Sequence, residues 1–268
     1  MNQAETTLGH TAREAADLLH EAELKRAAIP PVRSLIGETD LELAYAVQEI
    51  NTRRALEAGR RLVGRKIGLT SVVVQKQLGV GQPDYGMLFA DMARAEGEEI
   101  LLKDVLQPKV EAEIAFVFGR DLDGDQLTVA DLFQAIDFAV PAIEIVGSRV
   151  LNWDIRITDT IADNASSGLY VLGSKPTQLC DFDARNAGMT MEKSGIVVSS
   201  GAGSACLGSP LNSTLWLARV MARAGYPLRA GDTVLSGALG PMVPVSKGEV
   251  FDVRIGGLGS VTAVFSKE

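Results

Sequence analysis

Apolar residues recur at helical spacing through the first sixty positions and at strand-like spacing after them. Ala15, Leu18, Leu19 and Ala22 share one helical face behind the capping-box pattern Thr11-Ala-Arg-Glu14, and Pro30-Pro31 stops the run. The spacing predicts a helix over 12–28. Thr39-Asp-Leu-Glu42 is a second capping box, and Leu43, Ala46, Val47 and Ile50 form its stripe before Gly59 closes the helix. From 61 onward, short runs rich in Val, Ile and Phe fall at 61–70, 109–119, 141–147, 169–173, 196–199, 233–237, 249–255 and 259–265, bounded by Gly, Asp and Pro. Two further helices interrupt them. Thr128-Val-Ala-Asp131 opens one carrying Leu132, Ile136 and Val140; Asn212 or Ser213 opens the other, with Trp216, Val220 and a Gly225 stop. Nothing repeats with a period of 20 to 50 residues. The pattern predicts an α+β chain, a helical segment over 1–60 and a rolled or barrel-like β domain over 61–268, and it disfavours a parallel doubly wound sheet.

Composition and charge narrow the function. The 268 residues carry a net charge of −8, which argues against a nucleic-acid partner. No apolar run is long enough for a membrane span, and the start Met-Asn-Gln-Ala-Glu lacks the basic and apolar regions of a signal peptide, so a cytoplasmic protein is expected. Cys180 and Cys206 have no metal-ligand or CxxC spacing and are expected as reduced thiols. Histidine occurs only at positions 10 and 20, both in the first predicted helix, which excludes a Ser-His-Asp triad in the β domain and a histidine-rich zinc site.

The candidate chemistry is carried by acids in apolar context. Glu111 and Glu113 lie in Pro-Lys-Val-Glu-Ala-Glu-Ile-Ala-Phe, and strand alternation points them the same way; Glu144 lies in Pro-Ala-Ile-Glu-Ile-Val. Converging carboxylates repel unless a cation holds them, and a hard divalent ion such as Mg²⁺ or Mn²⁺ suits oxygen ligands. Exposure of one or more of them on an edge strand is the alternative. Most of the basic cluster Arg53, Arg54, Arg60, Arg61, Arg65 and Lys66 reads as a solvated face. Lys66, between glycines and Ile67, either snorkels or pairs with an anion such as a substrate carboxylate. Asp84, in Pro-Asp-Tyr-Gly, is a turn cap or a site acid. Asp163-Asn-Ala-Ser166 is an Asx turn or a source of oxyanion donors. Gly195 to Gly208 lacks the context of a nucleotide cradle and reads as a loop near a site. Leu235-Ser-Gly237-Ala-Leu239-Gly is a strand entering a glycine turn whose amides could face a ligand.

In order along the chain, Gly64-Arg-Lys-Ile-Gly-Leu-Thr70, Gln82-Pro-Asp-Tyr-Gly86, Pro108-Lys-Val-Glu-Ala-Glu-Ile-Ala115, Pro141-Ala-Ile-Glu-Ile-Val146, Ala162-Asp-Asn-Ala-Ser-Ser167 and Ser236-Gly-Ala-Leu-Gly240 resemble the 2-keto-4-pentenoate (2-hydroxypenta-2,4-dienoate) hydratases of the fumarylacetoacetate hydrolase superfamily. The resemblance implies a mixed β roll of the fumarylacetoacetate hydrolase C-terminal type behind a helical N-terminal segment, assembled into pentamers or decamers. It implies a metal-dependent hydro-lyase of aromatic meta-cleavage degradation, with Glu111, Glu113 and Glu144 on Mg²⁺ or Mn²⁺. By the same resemblance Lys66 and Asp84 are catalytic, and Ser166 contacts the substrate carboxylate or oxyanion, with Gly237 and Leu239 as further substrate contacts. A complex with a decarboxylase or a downstream aldolase is a further implication.

Competing readings share much of this site. A 4-oxalocrotonate decarboxylase has the same metal motif, but Val146-Gly-Ser-Arg149, Asn152-Trp-Asp154 and Gly237-Ala-Leu-Gly-Pro241 look more like the hydratases. A hydratase for a C7 diacid wants a further cation, and no residue identifies one. A non-catalytic partner of a decarboxylase has no need of all three glutamates and Lys66. A carbon–carbon hydrolase would have to rely on His20 and Glu21, on the predicted helix surface.

Overall fold

Two long strands with acids on one face form the centre of the molecule. The computed structural model describes residues 3–78 and 80–268. Its N-terminal part comprises α1 (Gln3–Lys25), α2 (Arg33–Ile36) and α3 (Leu41–Glu57), then β1 (Leu62–Gly68), α4 (Val72–Leu78), β2 (Asp84–Phe89), β3 (Ala93–Arg94) and β4 (Glu99–Ile100). The long strands β5 (Lys109–Phe118) and β6 (Ile136–Val146) flank α5 (Val129–Ala135), and α6 (Ile157–Ala162) and β7 (Leu169–Leu172) follow. The chain closes with β8 (Gly188–Lys193), β9 (Ile196–Ala202), α7 (Pro210–Arg223), β10 (Thr233–Leu235), β11 (Val243–Pro244), β12 (Val250–Ile255) and β13 (Gly259–Phe265).

The strands form two mixed sheets. The larger runs β2-β1-β10-β5-β6-β7-β3, with β11 also on β5, and the smaller runs β4-β13-β12-β8-β9. Strands β1 and β10 are parallel, whereas β5 and β6 are antiparallel over nearly their whole length. One face of β5 buries Val110, Ala112 and Ile114 in the main core, which leaves the other face to Glu111 and Glu113. A second core joins Ala15, Leu19, Val32, Ala44 and Val47 of the N-terminal helices to Ile157, Ile161 and Ala162 of α6, which ties those helices to the segment that follows Glu144. No helix among the described residues is long and apolar enough to cross a membrane.

Several local expectations shift. Helix α1 begins eight residues before Thr11, so Thr11-Glu14 lies inside it; it ends at Lys25 because Arg26 turns to φ 51°. Asp40, not Thr39, caps α3 by accepting from the Leu43 N–H at 3.0 Å. Ser209 caps α7 with Pro210 in its first turn, ahead of Asn212 and Ser213. Ile136 and Val140 belong to β6 rather than to the helix before it, since that helix stops at Ala135 and sheet pairing takes over. Pro83-Gly86 is no turn: Asp84 opens β2 opposite Gly68 of β1. Residues 196–202 of the expected glycine loop pair as a strand with β8.

Candidate metal centre and active site

Register places the acids together. Glu111 pairs directly with Glu144 across β5 and β6, and Glu113 lies two residues along the same face. One carboxylate oxygen from each falls within 4.8 Å of the others, and the edge-strand alternative is thereby excluded. Glu113 and Glu144 are completely buried, while Glu111 is partly open and marks the mouth.

Curling of the sheet brings β1 over this face. Lys66 Nζ lies 3.1 Å from Glu144 Oε1 and donates to the Ala165 carbonyl at 2.9 Å; the side chain is buried and does not snorkel. Burial opposes its charge, but Glu144, Asp84, Glu111 and Glu113 together outweigh that and raise its pKa. Burial, reinforced by Glu144, pushes Glu111 up to about 7. Glu113 is driven well above the carboxylate range by burial and by the two neighbouring glutamates. Glu113 Oε1 and Glu144 Oε2 have no hydrogen-bond partner among the described residues. Buried, crowded and orphaned carboxylate oxygens form a hard donor set that fits a divalent ion.

The remaining sequence candidates separate into two groups. Asp84 is buried, hydrogen-bonded by Thr160, and burial carries it up to about 6 against the pull of Lys66. Ser166 Oγ lies 3.1 Å from Thr160 Oγ1, so Thr160 links Asp84 to Ser166. Gly237 and Leu239 are placed differently from the expectation that their amides face a ligand. The Gly237 N–H donates to Glu113 Oε2 at 2.7 Å, and the Leu239 N–H donates to the Ala112 carbonyl at 2.9 Å. Gly237 holds φ 108° against Thr70, a conformation that L side chains resist, and the turn therefore orients Glu113. Its amide already has an acceptor in the protein.

Two participants escaped the sequence. Thr160 sits on a short helix with no motif around it. Tyr45 comes from α3, stacks on Tyr85 at 4.5 Å, and has a buried hydroxyl whose pKa is raised by burial and by Asp84. Neither carried a pattern that could have pointed to the site. His20 lines a separate cavity of about 570 Å³ that contains none of the three glutamates, and Glu21 pairs with Lys25 at 2.6 Å, so the His/Glu pair on which the hydrolase reading relies lies away from the acid cluster.

Residues 60–266 match the C-terminal domain of fumarylacetoacetate (FAA) hydrolase. The chain belongs to the fumarylacetoacetate hydrolase family. Within this family it is 79% identical over 267 residues, 100% of each chain, to the TodF product hydratase of Pseudomonas putida strain F1. It is 58% identical over 252 residues to 2-keto-4-pentenoate hydratase 2 of Dechloromonas aromatica strain RCB, covering 94% of this chain and 96% of the relative. Among solved structures, 4-oxalocrotonate decarboxylase from Pseudomonas putida G7, complexed with magnesium and adipate, matches at a TM-score of 0.91 and 36% identity over 99% of both chains. The α+β fold is that of the family, and the protein is a hydro-lyase.

The raised acids give a pH prediction. In the folded, metal-free protein Glu111 keeps its proton up to about 7, against an ordinary value of 4.5. Stability from that proton is fully present below the unfolded pKa and is lost as pH rises through the folded one. Metal binding requires the ionised carboxylates and so releases protons. The increment in melting temperature produced by Mg²⁺ should therefore grow between roughly pH 5 and 8. Calorimetric scans of chelated and Mg²⁺-saturated protein across that range check it, and an increment independent of pH would contradict the assignment.

Proposed function

We propose that the protein is a divalent-metal-dependent hydratase that adds water to 2-hydroxypenta-2,4-dienoate, giving 4-hydroxy-2-oxopentanoate, in aromatic meta-cleavage degradation. The observation that carries this reading is the buried triad Glu111, Glu113 and Glu144 facing Lys66. These glutamates would hold Mg²⁺ or Mn²⁺, which when bound supplies Lewis-acid polarisation of a 2-oxo acid's oxygens.

The chain's own groups then have distinct tasks. Lys66, whose charge is favoured by four acids, holds the substrate carboxylate or the oxygen on C2 and stabilises negative charge there. Asp84, raised to about 6 by burial, is suited to move a proton: the C2 hydroxyl gives one up and C5 gains one as the dienol ketonises, and water then adds its hydroxyl to C4 while its remaining proton is delivered to C3. Ser166 presents a hydroxyl on the same network through Thr160. Tyr45 and Tyr85 supply an apolar wall beside Asp84 that limits water.

Decarboxylation is the second reading, favoured by the close structural match to the decarboxylase. Incubation with Mg²⁺ and 2-hydroxypenta-2,4-dienoate, and in parallel with 2-oxohex-3-enedioate, separates the two. The expected result is a product heavier by one water from the first substrate and no CO₂ from the second. Release of CO₂ without hydration would overturn the proposal.

A further inference from the structure

Three consecutive residues that are not glycine adopt positive φ beside the candidate site: Asn164 at 53°, Ala165 at 51° and Ser166 at 56°. L side chains resist this left-handed region, so the surroundings must hold the turn in place. Arg149 holds one side. Its backbone N–H donates to Asp163 Oδ2 at 2.9 Å, Nη2 donates to the Asp163 carbonyl at 2.6 Å, Nη1 donates to the Ser167 carbonyl at 2.9 Å, and Nε pairs with Asp163 Oδ1. Asn164 fixes the other side, with Nδ2 donating to the Met87 carbonyl at 3.0 Å and Oδ1 accepting from the Met87 N–H at 2.7 Å. At the centre of this brace is the Ala165 carbonyl, the group that accepts from Lys66 Nζ. Ser166 follows it in the same turn.

A buried ion pair is weak evidence for stability, since apolar replacements often do as well. Here every polar contact of the Arg149 fork goes to the two ends of one strained turn, which is a geometric task. We propose that Arg149 and Asp163 are positioning residues: they hold the turn so that its Ala165 carbonyl keeps the Lys66 ammonium aimed at the acid cluster. Both line the separate cavity of about 570 Å³, so they act through the turn and do not touch the reacting atoms. Relaxation of the turn to ordinary φ would swing the carbonyl away and leave Lys66 with Glu144 as its near partner. This positioning role rests on the part given to Lys66 above.

A double-mutant cycle tests it with dienoate hydration as the readout and Mg²⁺ titration calorimetry as the check on folding. Arg149→Lys keeps the charge and loses the fork. It should lower kcat at least about tenfold with Mg²⁺ affinity unchanged, because small misplacements of a reacting group are costly. In a Lys66→Met background the same substitution should cost less than about threefold, since the group it positions is gone. Equal losses in the two backgrounds would mean general structural damage and overturn the proposal, as would wild-type kcat in Arg149→Lys. If Arg149→Lys does not fold, the charge-free pair Arg149→Met with Asp163→Leu takes its place in the cycle, with the same two outcomes. Wild-type turnover in Lys66→Met alone overturns the role of Lys66 and the positioning role with it; impaired Lys66→Met beside unimpaired Arg149→Lys overturns only the latter.

Discussion

Glu113→Gln should lose metal-dependent turnover while the fold survives. The substitution keeps the shape of a side chain that accepts from the Gly237 N–H at 2.7 Å, and it removes one of the three ionisable carboxyl groups whose oxygens lie within 4.8 Å of one another. Without metal the variant should be at least as stable as the parent at neutral pH, because burial and its neighbours already hold Glu113 well above the carboxylate range. With metal the order reverses. An ion at a hundred times its dissociation constant stabilises a protein by about 2.7 kcal/mol, and a hundredfold weaker site leaves about 0.4 kcal/mol. The Mg²⁺-induced rise in melting temperature should accordingly shrink to a small fraction of the parent's, and chelation of the parent by EDTA should abolish turnover until Mg²⁺ or Mn²⁺ is restored. Calorimetric scans and activity in parallel make the measurement. Full activity in thoroughly chelated parent, or an undiminished metal increment in the variant, would remove these glutamates from the metal assignment.

Lys66→Met should reduce kcat/KM by ~10² or more, the scale of a lost charge-assisted contact of ~3 kcal/mol. Lys66 is 3.1 Å from Glu144 and wholly enclosed, so its loss also leaves the acid cluster without its nearest cation. The variant should for that reason depend more strongly on saturating Mg²⁺ for its stability than the parent does. The kinetic constants separate two roles. A change confined to KM assigns Lys66 to carboxylate binding, whereas a fall in kcat with slower exchange at C5 in D₂O assigns it to proton transfer. Wild-type kinetics in the variant would withdraw both.

The candidate site residues were legible because their sequence context conflicts with burial. Glu111, Glu113 and Glu144 stand where a strand of this composition would ordinarily carry Val or Leu, and strand alternation alone puts the first two on one face. Lys66 among glycines and Ile67 gave the same kind of signal. The sequence also determined the α+β character, the long β5 and most of the later strands, since periodicity of two and of 3.6 is a local property.

What only the tertiary structure decided is which groups meet. Register across β5 and β6 sets Glu144 opposite Glu111, and curling of the sheet sets Lys66 against Glu144 from a strand two removed from β5. Asp84 was open between a turn cap, because Pro83 and Gly86 are turn formers, and a site acid; pairing with Gly68 overrode the local turn preference and buried it. Gly237 and Leu239 looked like ligand donors, but their amides answer to Glu113 and Ala112 once β10 lies beside β5. Thr160 and Tyr45 had no sequence signal at all, and although Arg149, Asp163 and Asn164 lie in quoted motifs, nothing in the sequence joined them into one brace. Their roles depend on contacts between residues far apart in the chain, and neither spacing nor composition records those contacts.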